Sequence, residues 1–455
     1  MNLATLIKAY DVRGVVPDEL DEDIARAIGA AFVDVVGATR VVTAYDMRET
    51  GPGLARAFGE GALHRGASLV EAGLSSTDML YFASGNYDLP GAMFTASHNP
   101  AQYNGIKLCR AGAVAISRET GLDAIRDRAT EYLERGLPAA ASPGAVEELD
   151  LLTAYATHLR GLVDLSGIRP LRVVVDAGNG MAGYTVPAVL GDAALPALPL
   201  AIVPLYFDLD GTFPNHEANP LEPANLVDLQ ARVVAETADL GIAFDGDADR
   251  CFFVDAVGAA VSPSAITALV ATRELARTPG ARVLHNLITS RAVSEIIREH
   301  GGEPVRTRVG HSFIKAEMAR VDAVFGGEHS AHYYFRDFWF ADTGMLAAMH
   351  VLAALGEQDG SLADLTAQFT RYASSGEINS TVADPAARMA AVRAEFADRT
   401  TATDELDGLT VELADGAWFN VRASNTEPLL RLNVEAPTEA VMASVRDEAL
   451  RVIRS

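Results

Sequence analysis

Lysine is almost missing from this chain. Its 455 residues include 37 Lys and Arg, of which only Lys8, Lys107 and Lys315 are lysines, against 61 Asp and Glu, for a formal charge of −24. So acidic a balance argues against wrapping nucleic acid or an anionic membrane, where a basic face supplies most of the affinity. It leaves room for a small anionic substrate, since a site is a local arrangement. Cysteine is scarce too. Cys109 and Cys251 cannot build a disulfide framework or a Cys-rich zinc site, and such sparse use fits a reducing cytoplasm. No apolar run approaches the ~18 residues of a membrane span, and Met1 to Tyr10 lacks the apolar core of a signal peptide. The expectation is a cytoplasmic protein with neither a nucleic-acid nor a membrane partner.

What is present is an ordinary globular composition, 49% hydrophobic and 22% charged, with length for three or four domains at roughly 150 residues each. Apolar, β-branched runs recur, each ending in a Gly/Asp-rich turn. Arg40–Ala44 leads to Tyr45-Asp46, and Leu171–Val175 to Asp176-Ala177-Gly178. Leu240–Phe244 leads to Asp245-Gly246-Asp247, and Val321–Phe325 to Gly326-Gly327-Glu328. Helical stretches such as Asp21–Val36 and Ala224–Ala238 lie between them. This alternation predicts an α/β fold with mixed, mostly parallel sheets and functional loops at the carboxyl ends of strands. Composition places boundaries in the linker Gly136–Gly144, near Gly258 and within 363–374. The predicted units are 1–144, 145–257, 258–366 and 367–455, the last a smaller α+β domain with strands over Leu409–Leu413, Trp418–Arg422 and Leu429–Glu435.

Three patterns point elsewhere. Gly178 to Gly183 matches the G-x-G-x-x-G dinucleotide fingerprint, with Asp208 as the ribose acid, but reads equally as a tight strand-to-helix turn. An NAD-dependent oxidoreductase is therefore one alternative. Asp208-Leu209-Asp210-Gly211-Thr212 looks like the nucleophile motif of a haloacid-dehalogenase-like phosphatase. That chemistry wants a lysine between this motif and Asp245-Gly246-Asp247, and none occurs; Pro204 also interrupts the strand before it. Asp245, Asp247 and Asp249 have the first spacings of an EF-hand, but Arg250 and Ala256 stand where Gly and Glu are required.

The chemistry is carried by four other signals. Thr95-Ala96-Ser97-His98-Asn99-Pro100, with Lys107 close behind, places a hydroxyl, an imidazole and an ammonium in one polar turn. Ser97 is the natural phosphoryl carrier and Lys107 its charge partner. Asp245-Gly246-Asp247-Ala248-Asp249-Arg250 gathers three carboxylates at a strand end, which repel unless a hard cation such as Mg²⁺ is bound. Gly326-Gly327-Glu328-His329-Ser330-Ala331-His332 sets Glu328, Ser330 and His332 in alternation, suited to sugar hydroxyls, with His329 pointing away. Arg422-Ala423-Ser424-Asn425-Thr426-Glu427-Pro428 offers an Arg fork and hydroxyls for a phosphate.

In this order the four motifs resemble the α-D-phosphohexomutase superfamily, nearest its bacterial phosphomannomutase/phosphoglucomutase branch. Tyr10-Asp11-Val12-Arg13-Gly14, Gly211-Thr212-Phe213-Pro214-Asn215-His216 and Gly310-His311-Ser312 with Lys315 extend the resemblance over nearly the whole chain. It implies three related α/β domains and a smaller α+β lid around one cleft, each giving one loop. It implies a reversible mutase working through phosphoserine at Ser97 and a hexose 1,6-bisphosphate that is both intermediate and activator. One Mg²⁺ would be held by Ser97, through its phosphate, and by Asp245, Asp247 and Asp249. Tyr10, Arg13, His98 and Lys107 would surround the phosphoserine, with His332 or Lys107 moving the hydroxyl proton. Arg250, Gly310, His311, Glu328, Ser330 and His332 would place the sugar, and Arg422, Ser424, Asn425 and Thr426 its phosphate. Mannose 6-phosphate and mannose 1-phosphate are the expected pair, with glucose phosphates as further substrates and a phosphoglucosamine mutase as the alternative. The partner is thus a small phosphosugar, and the assembly a monomer or homodimer. Two departures stand out: Ala331 replaces the usual glycine of the sugar loop, and Asp46-Met47-Arg48-Glu49-Thr50-Gly51 departs from the usual Arg-Asp-x-Arg-x-Ser. Both are expected to lie apart from the transfer chemistry.

Overall fold

A computed structural model of the chain describes residues 3–138, 142–423 and 429–455, with His311 described by its backbone alone. Four sheets follow one another along the chain. The first runs in the order Val12–Val15, Tyr103–Arg110, Gly91–Phe94, Arg40–Tyr45, Ser68–Leu74, Val146–Glu148. Its inner strands are parallel, while Tyr103–Arg110 is antiparallel to both neighbours. Val146–Glu148, beyond the expected boundary at Gly144, pairs parallel with Ser68–Leu74 and completes the edge of this first sheet. The second sheet is ordered Ala260–Val261, Cys251–Asp255, Leu240–Phe244, Leu171–Asp176, Leu200–Leu205, and the third Glu303–Thr307, Arg282–Asn286, Phe325–Gly327, Tyr333–Phe335, Ala341–Asp342. The fourth is antiparallel throughout: Ala373–Thr381, Leu429–Ala436, Trp418–Ala423, Leu409–Leu413, Thr400–Asp404. The expected α/β architecture with a C-terminal α+β unit is therefore present.

Capping starts several helices where the sequence places them. Asp21 accepts from Ile24 N at 2.8 Å and opens Glu22–Val36, which ends on Gly37 at φ 71°. The stretch 224–238 differs: Pro223 opens a 3₁₀ turn, Pro223–Leu226, and the α-helix itself is Val227–Ala235. Strand Phe325–Gly327 also differs, starting later than expected and taking in both glycines. A Cβ on Gly327 would lie 2.4 Å from Thr267 Oγ1, so the glycines let the helix Pro263–Arg277 pack on the strand.

The first three units share one continuous apolar core, in which every residue of helix Gly344–Gly356 is buried. A polar knot crosses the same junction. Asp78 of helix Thr77–Asn86 accepts from Tyr155 and Thr343, each at 2.7 Å, and from Ser76. Burial pushes its carboxyl up to about 6 against those hydrogen bonds. The fourth unit has a core of its own, Val382 to Ile453.

Candidate active site

The first three candidate loops are the same structural object. In the first three sheets an inner strand with a parallel neighbour turns back into an antiparallel partner. Residues 95–102 join Gly91–Phe94 to Tyr103–Arg110, residues 245–250 join Leu240–Phe244 to Cys251–Asp255, and residues 328–332 join Phe325–Gly327 to Tyr333–Phe335.

The structure brings the first two loops into direct contact. Ser97 Oγ donates to Asp245 Oδ2 at 2.8 Å, across 148 residues of chain. Ser97 sits at φ 51°, a left-handed conformation for a non-glycine residue. The carboxylates converge through a turn with Ala248 at φ 61°. One oxygen from each of Asp245, Asp247 and Asp249 falls within a 4.8 Å cluster. All three residues are at most 1% exposed, and among the described residues Asp247 Oδ1 and Asp249 Oδ1 have no hydrogen-bond partner. Such buried, unsatisfied carboxylate oxygens are costly, and an all-oxygen set fits a hard divalent cation. Burial above all pushes Asp245 up to about 8, opposed by Arg250 and reinforced by Asp249 and Asp247. Asp247 is held well below the usual range, because Lys107 and the Thr77 hydroxyl outweigh its burial. Three adjacent carboxylates thus ionise unevenly without a cation. Asp249, His332 and Asp342 form a second cluster, but Lys315 Nζ already neutralises Asp342 at 2.5 Å.

Cations wrap this centre. Lys107 Nζ bonds Asp247 Oδ2 at 2.7 Å and Asp249 Oδ2 at 2.6 Å. Burial opposes its charge, yet these carboxylates hold its pKa well above the ordinary lysine value. Arg250, which the resemblance sets with the substrate, is 2% exposed and faces the serine: it donates to Asp245 Oδ2 at 2.7 Å, Ser97 Oγ at 3.1 Å and His98 Nδ1 at 2.6 Å. Burial and then Arg250 push His98 well below the usual histidine range, so its Nδ1 is an acceptor. Arg13 donates to Asn99 Oδ1 at 2.5 Å and pairs with Asp11. Tyr10 stands beside Gly310, where an added Cβ would lie 3.7 Å from Tyr10 Cε1.

In the third loop, Ser330 Oγ lies 3.0 Å from His332 Nδ1, and His332 Nε2 lies 3.7 Å from Asp249 Oδ1. Glu328 is 2% exposed, and its oxygens accept from Asn286 Nδ2 and Gly310 N at 3.2 Å each and from the Tyr334 hydroxyl at 2.7 Å. It therefore ties the sugar loop to Gly310, which precedes helix His311–Val321. Ala331 adopts φ 63°, the conformation its usual glycine would supply. That costs about 1 kcal/mol relative to glycine. Ala331→Gly would also delete a buried methyl worth about 0.8 kcal/mol and loosen the unfolded chain by about 0.4–1 kcal/mol. These terms nearly cancel, so the variant's melting midpoint should move by no more than about 2 °C. A fall beyond about 5 °C in calorimetry would show that the methyl matters more than the backbone strain.

In the fourth loop Arg422 is described and pairs with Glu377; Ser424, Asn425 and Thr426 lie outside the described residues. The G-x-G-x-x-G turn serves as scaffold: Met181 N donates to Gly246 O at 2.9 Å, and a Cβ on Gly180 would meet that oxygen at 2.7 Å. Pro204 lies in Leu200–Leu205, an edge strand, where its missing donor costs nothing.

The outer loop corrects an expectation. Arg48 has a side chain 1% exposed and donates to the carbonyls of Ser97, Pro100 and Tyr103 at 2.9 Å each and of Asn99 at 2.6 Å. It is the internal brace of the serine loop, and nothing in local spacing signals it. Thr77, which donates to Asp247 Oδ2 at 2.5 Å, went unmarked in the sequence for the same reason.

Four family models, described as phosphoglucomutase/phosphomannomutase alpha/beta/alpha domains I, II and III and C-terminal domain, match residues 4–135, 153–258, 262–372 and 377–452. Phosphohexose mutases of Xanthomonas campestris pv. campestris are 42% identical over 448 residues, 97% of both chains. A phosphomannomutase of Salmonella typhimurium is 40% identical over 455 residues, 99% of both chains. The crystal structure of a phosphoglucomutase/phosphomannomutase family protein from Burkholderia thailandensis superposes with a TM-score of 0.88 at 33% identity, covering 100% of this chain and 98% of its own. Fold and matches together define an α/β enzyme that isomerises small phosphosugars. The chain belongs to the phosphoglucomutase/phosphomannomutase family, within the α-D-phosphohexomutase superfamily, and is a phosphohexomutase.

Proposed function

We propose that this phosphohexomutase interconverts mannose 6-phosphate and mannose 1-phosphate through phosphoserine at Ser97 and a hexose 1,6-bisphosphate. The observation that carries the reading is the Ser97 hydroxyl, 2.8 Å from Asp245 and 3.1 Å from Arg250. A phosphoryl group there would meet a guanidinium on one side and the acidic cluster on the other. Asp245, Asp247 and Asp249 would hold the divalent cation, Mg²⁺ by their oxygen donors, which draws charge off the phosphoryl oxygens. The sugar's free hydroxyl attacks the phosphorus of phosphoserine as its proton passes to His332, the Ser97 Oγ–phosphorus bond breaks, and Ser97 Oγ takes up a proton and is left as the hydroxyl that accepts phosphate in the return step. The bisphosphate turns end over end and gives its other phosphate to Ser97, so both halves are the same in-line transfer. Arg250 neutralises the group in flight; Tyr10, Arg13, His98 and Lys107 frame it. Gly310, His311, Glu328, Ser330 and His332 place the sugar, and Arg422 with Ser424, Asn425 and Thr426 takes the idle phosphate. Closure of the fourth unit would keep water from the phosphoserine.

The mannose assignment is supported by the name and 40% identity of the Salmonella typhimurium relative and by the Glu328-His329-Ser330 and Ser375-Gly376-Glu377-Ile378-Asn379 segments. Mannose, glucose and glucosamine phosphates should be assayed with a 1,6-bisphosphate activator and Mg²⁺. Mannose phosphates are expected to give the highest kcat/KM, and EDTA should remove activity that Mg²⁺ restores. Faster turnover of glucosamine phosphates would replace the assignment with the phosphoglucosamine one. Release of free phosphate as the main product would mark a hydrolase.

A further inference from the structure

The fourth sheet places two arginines face to face. Arg422 and Arg431 are direct partners across the antiparallel strands Trp418–Ala423 and Leu429–Ala436. Like charges directly opposite one another destabilise a sheet unless an anion lies between them. Glu377 is that anion. It pairs with Arg422, and its Oε1 is 3.2 Å from Arg431 Nη1. A β-bulge between Ser374 and Glu377, with Gly376 at φ 65°, sets its register. The cluster lies beside the sugar loop. Asn433, two residues along the strand from Arg431 and so on its face, lines a cavity together with His329 of the sugar loop. Glu377 and Arg422 also act on His329 from across the gap, the first favouring its charge and the second opposing it, beneath a larger effect of burial.

Resting on the mutase reading above, we propose that Glu377 is an internal stand-in for the substrate's idle phosphate, and that Arg431 is a second cation of the cradle that phosphate enters. A mutase of this kind must grip a phosphate, release it and take the other end of the same molecule. Two bare arginines would hold a dianion tightly and be costly to leave empty. A tethered carboxylate lowers the cradle's net charge to that of one arginine and turns release into an exchange of one anion for another.

The test is a binding cycle on the full chain by calorimetry, with inorganic phosphate and mannose 1-phosphate as probes. Glu377→Gln, nearly isosteric, is expected to tighten both by about five- to tenfold. Arg431→Gln should weaken them by about the same factor, in the wild-type and in the Glu377→Gln background alike. Arg431→Lys, which keeps the charge, should stay within about threefold of wild type and guards against a folding defect in the glutamine variant. Binding that is unchanged or weaker in Glu377→Gln overturns the stand-in. An Arg431→Gln effect that vanishes once Glu377 is neutral overturns the second cation, because Arg431 would then act only through Glu377. None of these readouts requires turnover, so failure of the phosphoserine mechanism would be seen separately, as missing covalent phosphate.

Discussion

Ser97→Ala should lose mutase activity by about 10⁴-fold or more, on the scale of nucleophile removal in other covalent enzymes, and should carry no covalent phosphate after incubation with hexose 1,6-bisphosphate. The loss would be chemical, since alanine tolerates φ 51° as well as serine does. The side chain gives up the hydrogen bond it donates to Asp245 and the one it accepts from Arg250, each worth about 2 kcal/mol. Arg250 keeps its contacts with Asp245 and His98, so the cationic side of the site stays in place. Two nearby hydroxyls are committed: Thr77 to Asp247, and Thr95 to the amide of Ser97 at 2.9 Å. Mass spectrometry of the peptide containing residue 97, beside a coupled assay, checks both halves. Wild-type turnover in the alanine variant would remove Ser97 from the mechanism.

Much of this arrangement was legible in local pattern. The strands Leu240–Phe244 and Leu409–Leu413 occupy the residues that apolar periodicity assigns them. Ser97, Lys107 and the three aspartates announce themselves because hydroxyl, ammonium and carboxylate types crowd short turns in a chain with few lysines. What stayed hidden depends on contacts between distant residues. Arg48 reaches the serine loop across 49 to 55 residues, and backbone carbonyls leave no mark in a sequence. The resemblance sets Arg250 with the substrate; its contact with Ser97 spans 153 residues and leaves no local mark. Gly326 and Gly327 look like a turn because glycine usually marks one; here the close approach of Thr267 and Met318 selects glycine within a strand. The equivalence of the hairpin loops is visible only when strand direction is known.

Arg48→Met should be the most damaging change outside the reacting groups. In the native chain one guanidinium donates to the carbonyls of four residues between Ser97 and Tyr103 and lies 3.4 Å from Asp46 Oδ2, with the Phe213 ring 5.1 Å away. Methionine fills the space but satisfies none of these groups, and it strips a buried carboxylate of its cation, a loss of about 3–5 kcal/mol. Lysine cannot replace the fork, because a single ammonium has three donors and no plane to spread them over four carbonyls. Activity should fall by about 10²-fold through misplacement of Ser97 alone. The deficit has a pH signature. Burial already raises Asp46 to about 6, with Arg48 pulling against it. A carboxyl raised in the folded state weakens stability as pH climbs through its folded pKa, and without Arg48 that pKa rises further. Below about pH 6 Asp46 holds its proton in both proteins, so the variant's deficit is smallest there and widens above it. Urea unfolding at pH 5 and pH 8, run beside kcat/KM, checks stability and catalysis together. Equal deficits at the two pH values would show that Arg48 is not the partner that keeps Asp46 ionised, and wild-type kcat/KM would show that the serine loop stands without its brace.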